Sequence, residues 1–443
     1  MQHKVFITCI IVFLILPSVQ LFSQVYYNKM EIPEVEATDS LNFAIDKIEI
    51  AGNDKTRDYI LLRELHFTTG DTASIRTLFL AQKRLLNLFL FNRVTFDLIG
   101  DDSRVILLIT VAERWYLFPL PILYLNERSW DKISYGGKLL YYNFRGRNIL
   151  LNLTLAFGYN PEMKLSYRDP WFGGSLKLMT NVSVFHKKVR SNNLDFDHVD
   201  DERSGIDWLI GRRFGHYLST YISLGYTQLS HPELTLSPTG TDKYSVVALH
   251  ARFDNRDLHE YPHEGMDLHL WGLRVQYREP ITYHRYGGEW QQYIPVGTYS
   301  TIALRTKANL GQGTIPLYDH MFLGFGNRIR GEFHDKYEGE NLLMGSIEFR
   351  FPIKKITYFD ITELAPPGFE SYYQNLKFGI SAGIFYDIGA VWYQNEPLQQ
   401  RHRHDGFGFG LHFHVPYVEL IRFEMAFDRE LNYQFIAETG LAF

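Results

Sequence analysis

Residues 150–158 read Leu-Leu-Asn-Leu-Thr-Leu-Ala-Phe-Gly. Successive side chains of an extended strand point to opposite faces, so Leu151, Leu153, Leu155 and Phe157 share one side while Asn152, Thr154, Ala156 and Gly158 share the other. The same period returns as Val247, Leu249, Ala251 and Phe253 against Ala248, His250, Arg252 and Asp254, and as Phe407, Phe409 and Leu411 against Gly406, Gly408 and Gly410. A soluble sandwich also alternates, but its polar face is the outer one and carries long charged side chains. Here aromatics make up 16% of the chain, and glycines stand where those charges would be. Only helices and closed barrels satisfy every backbone polar group within a bilayer. The pattern therefore predicts a transmembrane antiparallel β-barrel over residues 114–443, apolar towards lipid and polar towards a wet lumen. Strands of about ten residues with their turns divide this length into sixteen.

The chain has 443 residues, a net charge of −5 and one cysteine. The long apolar run is Val5–Leu16, preceded by Lys4 and followed by Pro17 and Leu21-Phe22-Ser23-Gln24. That layout predicts a cleavable export signal at residues 1–23, and the run is too short for a membrane-spanning helix. Cys9 lies inside the signal, which leaves the predicted mature chain without a thiol, a disulfide or a thiolate metal site. No block of Lys or Arg points to nucleic acid. Export followed by an alternating chain places the protein in the outer membrane of a double-membraned bacterium.

Residues 24–41 are polar and acidic and are read as a tether; residues 42–113 form a separate small domain. Ile48 and Ile50 alternate as a strand, Gly52-Asn53 supplies a turn, and Thr56 is placed to cap a helix carrying Ile60, Leu61 and Leu65. Gly70 is read as its stop. Ile75, Leu78, Phe79, Leu85, Leu86 and Phe89 follow at helical spacing, and strands around Val94–Leu98 and Val105–Val111 complete an α+β unit.

These residues carry a resemblance. Ile48-x-Ile50-x-Gly52-Asn53-x-x-Thr56, then Gly70, Leu85 to Phe91 and Val94, resembles a POTRA domain, the periplasmic module of the BamA and TamA type of outer-membrane insertases. In the barrel, Arg168-Asp169-Pro170-Trp171, Asp254-x-Arg256-Asp257 with Pro262-x-x-Gly265, and Ser346-x-Glu348-x-Arg350-Phe351-Pro352 resemble strand ends of the same superfamily. The sharpest matches are Ile329-Arg330-Gly331 and Phe385-Tyr386-Asp387-Ile388-Gly389. The resemblance implies that Arg330 sits at the tip of a loop folded back into the lumen and pairs with Asp387 on the inner wall, with Ile329, Gly331, Phe333 and Gly389 completing the motifs. Alternation separately turns Asp387 and Gly389 inward. The carboxyl-terminal strand, with Phe435, Leu441 and terminal Phe443, resembles the signal by which such barrels are recognised for insertion. It is expected to close weakly against a first strand near Ile133–Tyr142. Two departures stand out: Glu332 intervenes before Phe333, where the family places an aromatic, and there is a single POTRA-like domain.

The implied activity is non-catalytic insertion or translocation of unfolded outer-membrane or secreted polypeptides, with lipid and accessory proteins as partners and no cofactor. A secretion pore dedicated to one partner protein and a passive channel are the alternatives. Gly379-Ile380-Ser381-Ala382-Gly383 matches a hydrolase pattern, but that nucleophile needs a strand-to-helix turn, and here it falls inside a predicted strand. His402, His404 and Asp405 are read as a solvated loop and not as a metal site. Arg252, Arg305, Lys307, Glu348, Arg350, Arg422 and Glu424 are read as ordinary lumen charges.

Overall fold

The computed structural model describes residues 42–100, 104–125, 132–190, 200–231, 233–324, 327–332, 337–418 and 420–442. The predicted signal and tether, together with Phe333 and Phe443, lie outside the described residues.

The N-terminal domain runs β1 (Asn42–Ala51), α1 (Asp58–Leu62), β2 (Thr72–Ser74), α2 (Ile75–Leu86), β3 (Phe91–Gly100) and β4 (Arg104–Glu113). Its sheet has the order β2-β1-β4-β3, with β1 parallel to β4. Ile45, Ile60, Leu61, Leu78, Leu85, Leu107 and Ile109 are fully buried and form the core between helices and sheet. Ser74 caps α2 by accepting the Thr77 N–H at 3.2 Å.

Three local expectations are corrected. The first helix ends at Leu62, so Leu65 lies beyond it and Gly70 is not its stop. β2, three residues long, offers too short a run for a period to register. Thr56 is not the helix cap, because the cap position is Arg57 and makes no side-chain bond. The Thr56 hydroxyl instead donates to Glu113 Oε1 at 2.5 Å and takes the Asn143 amide at 2.8 Å. As a cap the hydroxyl would accept from a helix N–H, whereas here it donates to a carboxylate, and a charge-assisted bond of that kind is the stronger one.

The remaining strands are β5 (Leu117–Leu125), β6 (Ile133–Phe144), β7 (Ile149–Gly158), β8 (Glu162–Phe172), β9 (Leu178–Arg190), β10 (Asp200–Phe214), β11 (Leu218–Ser230) and β12 (Thr241–Asp254). They continue through β13 (Gly265–Tyr277), β14 (Thr282–Val296), β15 (Ser300–Gly313), β16 (Met321–Leu323), β17 (Tyr337–Gly339) and β18 (Asn341–Phe359). The last are β19 (Leu376–Trp392), β20 (Arg403–His414), β21 (Ile421–Phe427) and β22 (Tyr433–Thr439). Sixteen of these form one antiparallel sheet in sequence order, the barrel wall, while β16 and β17 pair with each other in the connection between β15 and β18.

Alternation divides the wall as expected. Leu249 is 62% exposed and Ile384 57%, whereas Ala248 is 4% and Asp387 3%. The first wall strand is corrected, since Ile133–Phe144 is the second and Leu117–Leu125 precedes it. Leu-Phe-Pro-Leu-Pro-Ile-Leu-Tyr-Leu carries no alternation, and its two prolines argue against a central strand; they are tolerated because β5 ends the sheet. Among the described residues no ladder joins β5 to β22. The last strand stops at Thr439: Gly440 turns the chain with φ 81°, leaving Leu441 past the strand end.

Candidate functional site

The connection between β15 and β18 returns to the inner wall at Ile329-Arg330-Gly331. Ile329 is buried among Leu323, Leu342, Met344 and Val391, so apolar packing seats the loop tip before any charge is considered. Gly331 has φ 106°, and a Cβ there would lie 2.5 Å from the Phe427 carbonyl oxygen. Gly406 opens the other side, since its Cβ would fall 2.0 Å from the Arg330 carbonyl oxygen. The glycine face of β20 thus lets loop backbone lie directly on wall backbone.

Arg330 is 5% exposed and meets three wall strands. It grips Asp387 on β19 through Nε at 2.7 Å and Nη2 at 2.8 Å, and its own N–H donates to the same carboxylate at 3.2 Å. Nη1 donates to Glu348 on β18 at 2.7 Å and to Glu424 on β21 at 3.0 Å. Each outer carboxylate has a second arginine: Arg350 Nε donates to Glu348 at 2.7 Å and Arg422 Nη1 to Glu424 at 2.7 Å. Three buried guanidiniums therefore balance three buried carboxylates. Such a cluster is held by ion pairing and hydrogen bonds, and at Arg350 also by the rings of Tyr261 and Tyr293 beside its guanidinium, because an isolated charge here would be heavily penalised.

The structure thus brings together Ile329, Arg330, Gly331, Asp387 and Gly389, the last under Ile329, whose Cδ1 would stand 3.0 Å from an added Cβ. Sequence reasoning missed that Glu348, Arg350, Arg422 and Glu424 belong to the same cluster. Glu332 does not enter it, and its N–H closes a turn onto the Ile329 carbonyl at 3.1 Å. Phe435 is 46% exposed on the outer face of β22, and Leu441 lies apart from it. Ser381 sits within β19 and shares a hydrogen bond of 3.0 Å with His414 Nε2. His402 approaches Glu396 at 3.5 Å while His404 stacks on Tyr337.

A second constellation ties the N-terminal domain to the turns at one end of the wall. Gly52, with φ 84°, presses its α-carbon towards the Val111 carbonyl, and Asn53 bonds Thr56 and Asp58, shaping the segment that meets the wall. The Arg57 N–H donates to the Gly146 carbonyl at 3.1 Å. Asn87 donates to the Asp257 carbonyl at 3.0 Å and accepts the His259 N–H at 2.7 Å. Glu64 takes Arg213 fork to fork, both bonds at 3.0 Å. Burial opposes the Glu64 charge, but Arg213 and Arg63 outweigh it and hold the carboxyl below its ordinary range. Beside this pair His66 and His216 meet edge to face at 3.8 Å. Burial, then His66 and Arg84, push His216 down to about 4.

A family model described as the Omp85 superfamily domain matches residues 143–443, and one described as POTRA, surface antigen variable number repeat, matches residues 43–114. Among solved structures, BamA from Haemophilus ducreyi lacking POTRA domains 1–3 aligns with TM-score 0.52 at 18% identity, covering 90% of this chain and 83% of that one. CdiB from Escherichia coli aligns with TM-score 0.55 at 11% identity, covering 90% and 75%. CdiB from Acinetobacter baumannii gives 0.52 at 13%, covering 90% and 74%. At these identities the likeness is one of fold. Because the Omp85 match spans more than half of the chain and the POTRA match stands ahead of it, the protein belongs to the Omp85 superfamily, with its barrel in the outer membrane and its POTRA domain in the periplasm.

Proposed function

We propose that this protein inserts polypeptides into, or passes them across, the outer membrane without a cofactor. An unfolded client is captured in extended form at the edge of the POTRA sheet by main-chain pairing. It is handed to a lateral seam between β5 and β22, where unpaired backbone groups can template a strand and release it into lipid. Arg330 and Asp387 form the latch that keeps the long loop seated while the wall opens. The cycle makes and breaks main-chain hydrogen bonds and needs no nucleophile, so Ser381 has no part in it.

The observation that carries this reading is the absence, among the described residues, of a ladder between the two end strands of a sixteen-stranded wall. The POTRA domain bonded to the turns of the same wall supports it, since a client leaving that domain emerges at the barrel mouth. The membership of the superfamily, and the fold shared with BamA and CdiB, agree with an action on polypeptides.

The test is depletion of the protein in its native cell, followed by quantitative proteomics of the outer membrane and the medium. A broad fall in barrel proteins is the expected result. Loss of one secreted or surface protein alone would instead make it a dedicated secretion pore. An unchanged proteome would sink the assembly role. A disulfide engineered between β5 and β22 is expected to stop function while sparing the fold.

A further inference from the structure

Pro119 and Pro121 sit in the middle of β5, and the ladder fixes which way their backbone faces. The Tyr142 N–H donates to the Tyr116 carbonyl at 2.7 Å, and the register sets Leu117 opposite Tyr141, so Tyr116 and Tyr142 form a hydrogen-bonded pair. In an antiparallel ladder such pairs alternate with pairs whose N–H and C=O point the other way. Phe118, Leu120 and Ile122 therefore direct their backbone groups to β6, while Leu117, Pro119, Pro121 and Leu123 direct theirs away from it, towards β22.

The same count works on the other side. The Gly440 N–H donates to the Leu420 carbonyl at 2.8 Å, and Ile421 lies opposite Thr439. Tyr433, Phe435, Ala437 and Thr439 accordingly turn their backbone groups away from β21. The two edges are not equivalent, because proline has no N–H. At 117, 119, 121 and 123 the β5 edge offers four carbonyls, but its donors are confined to Leu117 and Leu123.

Elsewhere in the wall, prolines avoid such positions. Pro170 and Pro352 lie beside breaks in register, and Pro295 is one residue from the end of its strand. Pro119 and Pro121 interrupt an unbroken register. The side chains of Leu117, Phe118, Leu120, Ile122 and Leu123 are apolar on both faces, so none of these five offers a polar anchor to the lumen.

We propose that Pro119 and Pro121 make the first-strand edge a one-sided template, which accepts hydrogen bonds from an extended polypeptide strand but donates none at its centre. A strand laid on this edge, whether β22 or a client, leaves two of its own carbonyls unpaired against lipid, where unsatisfied groups are costly. It is gripped at the ends, loose in the middle, and released. This rests on the lateral-seam reading above and goes beyond it by naming the residues that keep the seam from zipping.

The test is hydrogen exchange, read by mass spectrometry, on the full chain reconstituted in phosphatidylethanolamine and phosphatidylglycerol vesicles. The Pro119→Ala/Pro121→Ala double variant is expected to slow exchange across 433–439 by on the order of tenfold or more, since two rungs become available. Leu120→Ala, whose N–H faces β6, is expected to leave it unchanged. Protection across Leu151–Phe157 reports that the barrel is folded. Unaltered exchange at 433–439 in a folded double variant overturns the proposal. Should that variant not fold, Leu123→Pro supplies the reverse test: it extends the gap and is expected to speed exchange there, and no change overturns the proposal equally. In cells the double variant separates the two ideas: a tightened seam with an unchanged outer-membrane proteome would refute lateral transfer while leaving the role of the prolines intact.

Discussion

The guanidinium of Arg330 lies 3.5 Å from the centroid of the Phe385 ring, on the strand that also supplies Asp387. Phe385 faces inward and is 3% exposed, so the ring serves as a floor beneath the charge. Cation and ring attract, and the attraction grows when water is excluded. One arginine is thus fixed by a ring below and carboxylates around it.

Removing either member of the central pair leaves a buried charge without its partner. Arg330→Ala and Asp387→Ala are each expected to destabilise the barrel by about 3–5 kcal/mol. Arg330→Lys is expected to rescue little, because an ammonium cannot span Asp387 and two further carboxylates. The check is the temperature at which the folded band is lost in heat-modifiability gels. An unchanged transition in the alanine variants would remove the latch.

Gly406 tests the close approach without touching a charge. A Cβ there must displace the Arg330 carbonyl, so Gly406→Ala is expected to cost about 1–3 kcal/mol through overpacking. The effect should be largely absent when Arg330 is already alanine and the loop is free to lift. A double-mutant cycle measures this, and full additivity would show that the loop does not rest on Gly406.

Glu64 is 3% exposed and takes both nitrogens of Arg213. Glu64→Ala is expected to weaken docking of the POTRA domain on the barrel by about 2–3 kcal/mol, since bonds to charged groups are lost and Arg213 is left in a dry contact. Lys55 and Tyr372 meet tip to tip at another point of this contact, so a Lys55→Cys/Tyr372→Cys pair can be bridged by a flexible bis-thiol-reactive cross-linker. The cross-linking yield should fall in the Glu64 variant, and an unchanged yield would mean that the ion pair does not hold the domain.

The His66 and His216 contact gives docking a pH dependence of definite sign. His216 moves from an ordinary 6.5 to about 4 when docked, and His66 moves in the same direction, so both prefer to be neutral there. Docking is therefore fully stabilised above about pH 6.5 and weakens as pH falls towards 4, by at most about tenfold per unit for each proton taken up. Among the facing groups, Arg84 and Arg213 oppose the added proton and Glu64 is held below its ordinary range, so none of them reverses the sign. His216→Gln should flatten the profile of the same cysteine cross-link; a profile identical to that of the parent would show the histidines to be bystanders.

The wall was legible because its signal is local. Two residues of Leu151–Phe157 already define inside and outside, and the same parity alone turns Asp387 to the lumen. Parity gives a direction and no position around the wall, which is why Glu348 and Glu424 read as ordinary lumen charges although they converge on one arginine. β5 was missed because an edge strand buried on neither face needs no alternation. Thr56 was misassigned because the capping pattern is local, whereas Glu113 and Asn143 reach it from distant parts of the chain. Glu64 and Arg213 are 149 residues apart, and no pattern in either neighbourhood announces the other.

The cluster at Arg330 spans β18, β19 and β21, with β20 trapped among them, so one arc of the cylinder is stapled to its own loop. The arc from β5 to β8 has no such staple among the described charge pairs, and it ends in a strand whose edge is short of donors. On the proposed lateral-seam reading the cylinder divides mechanically into a stator and a flap: strain applied at the mouth would be borne by the stapled arc and relieved by displacement of the other, which would give the proposed opening a fixed handedness around the barrel axis.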